Sequence, residues 1–95
     1  MKITIKSLKF DAREQLTAFI DRKVGRLERF CGDKADEVLV TLENLKEGKN
    51  ARLQIAIPGE NLVIERTSDT FENAVTACVD GMKERLTRAK ERLEQ

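Results

Sequence analysis

The sequence predicts an α+β domain of order β-α-β-β-β-α, a four-stranded sheet with two amphipathic helices packed on one face. Three observations predict it. Apolar residues recur at three- and four-residue steps in two long segments, and polar and apolar residues alternate in four short ones. An Asp-x-x-Glu pattern, which can satisfy the free backbone N–H groups of a first helical turn, opens both long segments. With 95 residues, 40% hydrophobic and 37% charged, the chain can wrap one core and no second, so residues 1–95 read as a single domain.

The first strand is Lys2-Ile3-Thr4-Ile5-Lys6, half-buried, with Ile3 and Ile5 toward the core and the opposite side cationic and wet. A long helix is predicted over 11–31, opened by Asp11 and Glu14. Its stripe is Leu16, Phe19, Ile20, Val24, Leu27, Phe30 and Cys31, with Gly32 as a left-handed C-cap. After an acidic turn from Asp33 to Glu37, strands follow at 38–45, 52–57 and 62–67, separated by turns at Lys46 to Asn50 and Pro58 to Asn61. These three form an antiparallel meander, because their connections are short. The terminal helix starts at the second Asp-x-x-Glu, Asp69 to Glu72, and carries Phe71, Val75, Cys78, Met82, Leu86, Ala89 and Leu93 on one stripe. The sheet face away from the helices is predicted to show Lys2, Thr4, Thr41, Glu43, Arg52 and Gln54.

Composition excludes most chemistry. There is no histidine, which removes the commonest general base and the usual zinc ligand, and Ser7, Ser68 and Cys31 have nothing to activate them. No carboxylate cluster resembles a metal cage or an acid/base dyad, and no glycine-rich loop cradles a phosphate. The chain is therefore predicted not to be an enzyme, with no metal, no cofactor and no small-molecule substrate. Cys31 and Cys78 lie far apart and read as core thiols. Four Phe with no Trp or Tyr leave no stacking platform for bases. Without a long apolar run or a lipidation box, the expectation is a cytoplasmic protein with no membrane partner.

The 18 Lys and Arg against 17 Asp and Glu give a net charge of only +1, so a cationic surface requires segregation. At about 100° per residue, Arg22, Arg26 and Arg29 fall on one flank of the first helix and Glu14, Asp21 and Glu28 on the other. Lys23 lands within the apolar stripe, where its ammonium must snorkel to an edge. On the terminal helix Arg85, Arg88 and Arg92 share one flank of the stripe, and Lys83 and Lys90 the other. Two readings stand side by side. The cations decorate solvated helix faces, those near the terminal helix's end complementing its dipole, or they form ridges that contact phosphates.

The sequence resembles the ribosome hibernation promoting factor family, also known as ribosome-associated inhibitors or sigma-54 modulation proteins, over essentially its whole length. Residues 16–30, LTAFIDRKVGRLERF, resemble the family's first helix with its lysine-apolar pair and aromatic end. Asp69-Thr70-Phe71-Glu72-Asn73-Ala74-Val75 and Leu86-Thr87-Arg88-Ala89-Lys90-Glu91-Arg92-Leu93 resemble the opening and the basic closing of its second. The resemblance implies a fold related to double-stranded RNA-binding domains. It implies a translation inhibitor of stationary phase and stress that binds the small ribosomal subunit and its 16S-type rRNA in the decoding channel, over the mRNA, A-site and P-site tRNA positions. An auxiliary hibernation factor is a further partner the family admits. The rRNA-binding positions carried over are Lys23, Arg26, Arg88, Lys90 and Arg92, to which the helical wheels add Arg22, Arg29, Lys83 and Arg85. Three departures stand out: Phe71 in place of a tyrosine, one extra residue before Ala74, and Thr76 in place of an aspartate. Glu91 and Glu94 dilute the basic tail, and the sequence reads as a short form without the domain that pairs ribosomes. The alternatives are a general double-stranded RNA-binding module and a protein-interaction regulator of transcription.

Overall fold

The computed structural model describes residues 1–32 and 35–93, with the Leu93 side chain left aside. Part of the predicted acidic turn, the outer end of the terminal stripe at Leu93 and the diluting Glu94 therefore lie outside the described residues. The elements are β1 (Lys2–Leu8), α1 (Glu14–Gly25), α2 (Glu28–Cys31), β2 (Glu37–Leu45), β3 (Gly48–Ile57), β4 (Glu60–Ser68) and α3 (Phe71–Leu93). One sheet holds all four strands in the order β1-β2-β3-β4. β1 pairs parallel with β2, which demands a crossover, and α1 and α2 supply it. β2, β3 and β4 form the predicted antiparallel meander.

Alternation decides which strand residues enter the core. Val38, Val40 and Leu42, then Ala51, Leu53 and Ile55, then Leu62 and Ile64, are buried on one face, and Ile3 and Ile5 pack half-buried beside them. α3 lies over β3 and β4, while α1 packs on α3 and β1, so both helical segments cover the same face as predicted. From α3 come Ala74, Val75, Cys78, Val79, Met82, Leu86 and Ala89, and from the first helical segments Ile20, Val24, Leu27 and Cys31. α3 approaches β4 so closely at Gly81 that a Cβ there would collide with Ile64 Cδ1.

The hairpins close more tightly than the sequence suggested. Lys46-Glu47 and Pro58-Gly59 are the whole connections, so β3 begins at Gly48 and not at Arg52. Gly48 permits this extension: its φ is 150°, and a Cβ would stand 2.6 Å from the Ser68 carbonyl oxygen.

The first helix departs from the predicted 11–31 at both its start and its middle. It begins at Glu14, with Arg13 extended before it and no side-chain cap, so Asp11 does not cap it. The Phe10 ring instead stacks on Phe71, centroids 5.1 Å apart, and Phe10 and Ala12 pack on the core, which uses these residues as a bridge from β1. After Gly25 the chain tightens, the Arg26 and Leu27 amides donating to Lys23 O and Val24 O at 3.3 and 2.9 Å. Glycine lowers the cost of leaving the α-helix there, and the tightened turn rotates both Leu27 and Cys31 into the core. Gly32 ends α2 at φ 56° and ψ −130°, a positive φ as expected of the glycine but outside the left-handed helical region.

The cap of α3 is Thr70, not Asp69. Thr70 Oγ1 accepts the Asn73 amide at 3.0 Å, because Thr70 directly precedes the first helical residue. Asp69 acts one step outside, accepting from the Asn73 side-chain amide and the Ser68 hydroxyl. These bonds, the Asn73 one foremost, hold its carboxyl below the usual range.

Candidate nucleic-acid interface

The predicted cations fall on two surfaces of the helical layer. Arg85, Arg88 and Arg92 recur at helical spacing on one side of α3 and, with Glu60 and Leu62, line a groove of about 170 Å³ against the outer strand β4. Arg85 is anchored there, donating from Nη1 to the Val63 carbonyl oxygen at 2.6 Å. This bond also occupies one acceptor on the otherwise unpaired edge of β4. Arg88 pairs with Glu84 one turn earlier, and Arg92 pairs with Glu60 across the groove.

The second surface is the seam between the first helical segments and α3. Lys23 is half-buried, as its place in the stripe required, and its ammonium rises over the Phe19 ring at 5.9 Å from the centroid. Arg22 reaches the same ring at 5.5 Å. Across the seam Lys83 places its ammonium 5.9 Å from the Phe30 centroid and 4.0 Å from Asp80. Phe19 and Phe30 thus support cations, a role that aromatic composition did not reveal. Arg26 and Arg29 are exposed on the tightened turn and on α2, displaced from a wheel drawn at constant pitch, and Lys90 is exposed on α3.

Electrostatic availability differs between the two surfaces. Among the described residues, no carboxylate lies within 4.0 Å of Arg22, Lys23 or Arg26. Arg88 and Arg92 each carry an internal carboxylate partner, which any phosphate must displace or share. The partner of Arg92 is Glu60, at the start of β4, which no local pattern signals.

Both thiols are buried and protonated: desolvation pushes Cys78 up to about 11 and raises Cys31 as well. Cys78 Sγ donates to the Ala51 carbonyl oxygen at 3.3 Å, and Cys31 Sγ to that of Leu27 at 3.3 Å. On the open sheet face a depression of about 310 Å³ is lined by Asp36, Glu37, Leu39, Gln54, Ala56 and Asn61, an acidic and neutral set unsuited to phosphate. Among the described residues no helix is long and apolar enough to cross a membrane, and no group of His, Cys, Asp or Glu converges as a metal site.

Comparison with known proteins matches both the fold and the sequence pattern. The family described as sigma 54 modulation protein / S30EA ribosomal protein matches residues 3–94. A ribosomal subunit interface protein from Coxiella burnetii superposes with a TM-score of 0.87 at 19% identity, over 96% of this chain and 99% of that one. The N-terminal domain of Thermus thermophilus Protein Y superposes with a TM-score of 0.81 at 19% identity, over 93% of this chain and 98% of that one. At such identity the two structures share the fold, and the family match carries the kinship.

Proposed function

Since the chain belongs to the sigma 54 modulation protein / S30EA ribosomal protein family, we propose that it binds the small ribosomal subunit through its helical layer and inhibits translation by occupying the decoding channel. The observation that carries this reading is charge segregation. A chain with net charge +1 gathers Arg22, Lys23 and Arg26 along α1 and the turn that follows it, none with a carboxylate within 4.0 Å among the described residues, and aligns Arg85, Arg88 and Arg92 on α3. Guanidinium and ammonium groups spaced along helices contact phosphates and fix a protein's position without reading bases. Folded RNA is recognised in this way, by shape and backbone.

Occlusion requires no reacting group, and the protonated buried thiols and the lack of histidine agree with a factor that acts by binding. The fold shared with the Coxiella burnetii ribosomal subunit interface protein supports the same partner. A small subunit already carrying messenger RNA and a P-site tRNA should exclude the protein, and excess protein should displace both. Simultaneous occupancy of one subunit by all three, measured by labelled-ligand competition, would place the protein outside the decoding channel.

A further inference from the structure

We propose that the groove between α3 and β4 is a phosphodiester-binding site held closed by Glu60, whose carboxylate occupies the Arg92 guanidinium until an RNA phosphate displaces it. The proposal rests on the ribosome-binding reading and adds an internal competitor to it. Glu60 and Arg92 belong to different elements, separated by nearly all of β4 and α3, yet they meet across the mouth of the groove. Arg85 is already fixed at the Val63 carbonyl, and Leu62, buried to 3% exposure, forms an apolar wall. The groove thus presents three guanidiniums in a set arrangement over about 10 Å of helix axis, roughly three steps of a nucleic-acid strand.

A carboxylate and a phosphate offer the same pair of acceptor oxygens to a guanidinium, so one can replace the other without moving Arg92. The exchange makes RNA binding at this groove weaker than the three arginines alone would give. It also makes it more selective, because only a backbone dense enough in phosphate outcompetes an intramolecular carboxylate. Glu60 lies directly after the Pro58-Gly59 turn, at the start of β4, where the carboxylate can swing to solvent with little cost to the sheet.

The test compares the wild type with Glu60→Gln, Arg92→Gln and the double variant, using two probes: tripolyphosphate, followed by NMR at the arginine side-chain N–H groups, and purified small ribosomal subunits. Glu65→Gln serves as the charge-matched control, since Glu65 points from β4 to the open sheet face. Glu60→Gln is expected to bind both probes about two- to fivefold more tightly than either wild type or the control, the range that release of one exposed ion pair allows. The dependence of log affinity on log salt should change little, because Arg92 meets the same phosphate in both complexes and only the competing carboxylate is gone. The gain should vanish in the Arg92→Gln background. A gain no larger than that of Glu65→Gln, or one that survives without Arg92, overturns the proposal. Tripolyphosphate reads the groove whether or not small subunits bind, so failure of the ribosome reading and failure of this one give different results.

Discussion

Replacing Lys23, Arg88 and Arg92 by glutamate together is expected to weaken binding to small ribosomal subunits by about 10²- to 10³-fold, at roughly 1 kcal/mol or more for each cation–phosphate pairing removed. The three residues sample both cationic surfaces: Lys23 stands at the helical seam, and Arg88 and Arg92 line the β4 groove. The plot of log affinity against log salt should flatten by roughly 2 to 3, because a phosphate that meets no cation keeps its counterion. Arg88 and Arg92 are 70% and 61% exposed, and Lys23, though half-buried, lifts its ammonium to the edge of the stripe, so the fold should survive all three substitutions, with circular dichroism as the check. Reversal does set new carboxylates against Glu84 and Glu60, at a cost of about 1 kcal/mol or less per exposed pair. Undiminished binding by a folded triple variant would refute the assignment of these residues.

Leu53→Ala is expected to destabilise the fold by about 2 to 5 kcal/mol, the range for truncating a fully buried leucine. Leu53 is completely buried on β3, opposite Val40 of β2 and Ile64 of β4, beneath the layer formed by α3. For a domain of this size the melting temperature should fall by more than about 10 °C. Its neighbour Arg52 faces the other way, exposed between Thr41 and Glu65, and Arg52→Ala should change stability by only about 0.5 kcal/mol. Thermal denaturation of the two variants therefore measures the alternation itself. Equal effects would mean that β3 does not present its faces as described.

The same alternation explains why so much of the architecture could be read from sequence. A period of two in the strands and of three to four in the helices directly reports which side chains leave water, so element order and the shared helical face followed from it. Lys23 was legible for the same reason: a cation inside an apolar stripe must lift its charge to an edge, and it does so over Phe19. Boundaries depended on interactions that periodicity does not encode. The late start of α1 accompanies the Phe10 stack on Phe71, a contact between residues far apart in sequence. The break after Gly25 follows from the need to bury Leu27 and Cys31 together, and the early start of β3 from the close approach of Gly48 to Ser68.

Within the candidate site, the arginine flank of α3 was visible because it lies on one helix, where spacing fixes geometry. What those arginines touch was not visible. Glu60 and the Val63 carbonyl belong to the edge strand, and only tertiary packing brings them to α3. The consequence is functional: charge counting treats Arg88, Arg92 and Arg26 alike, whereas the fold gives the first two carboxylate partners and leaves Arg26 without one among the described residues. On the proposed ribosome-binding reading, the seam surface is the more available for a first encounter with phosphate, and the β4 groove the more demanding.

The most direct measurement of the central claim is co-sedimentation of the purified protein with small subunits, large subunits and a plain RNA duplex across a range of potassium concentrations. Selective migration with the small subunit, declining progressively as potassium rises, is the predicted result. Equal affinity for the plain duplex would make the protein a general RNA-binding module, and migration with neither subunit at low salt would contradict ribosome binding altogether.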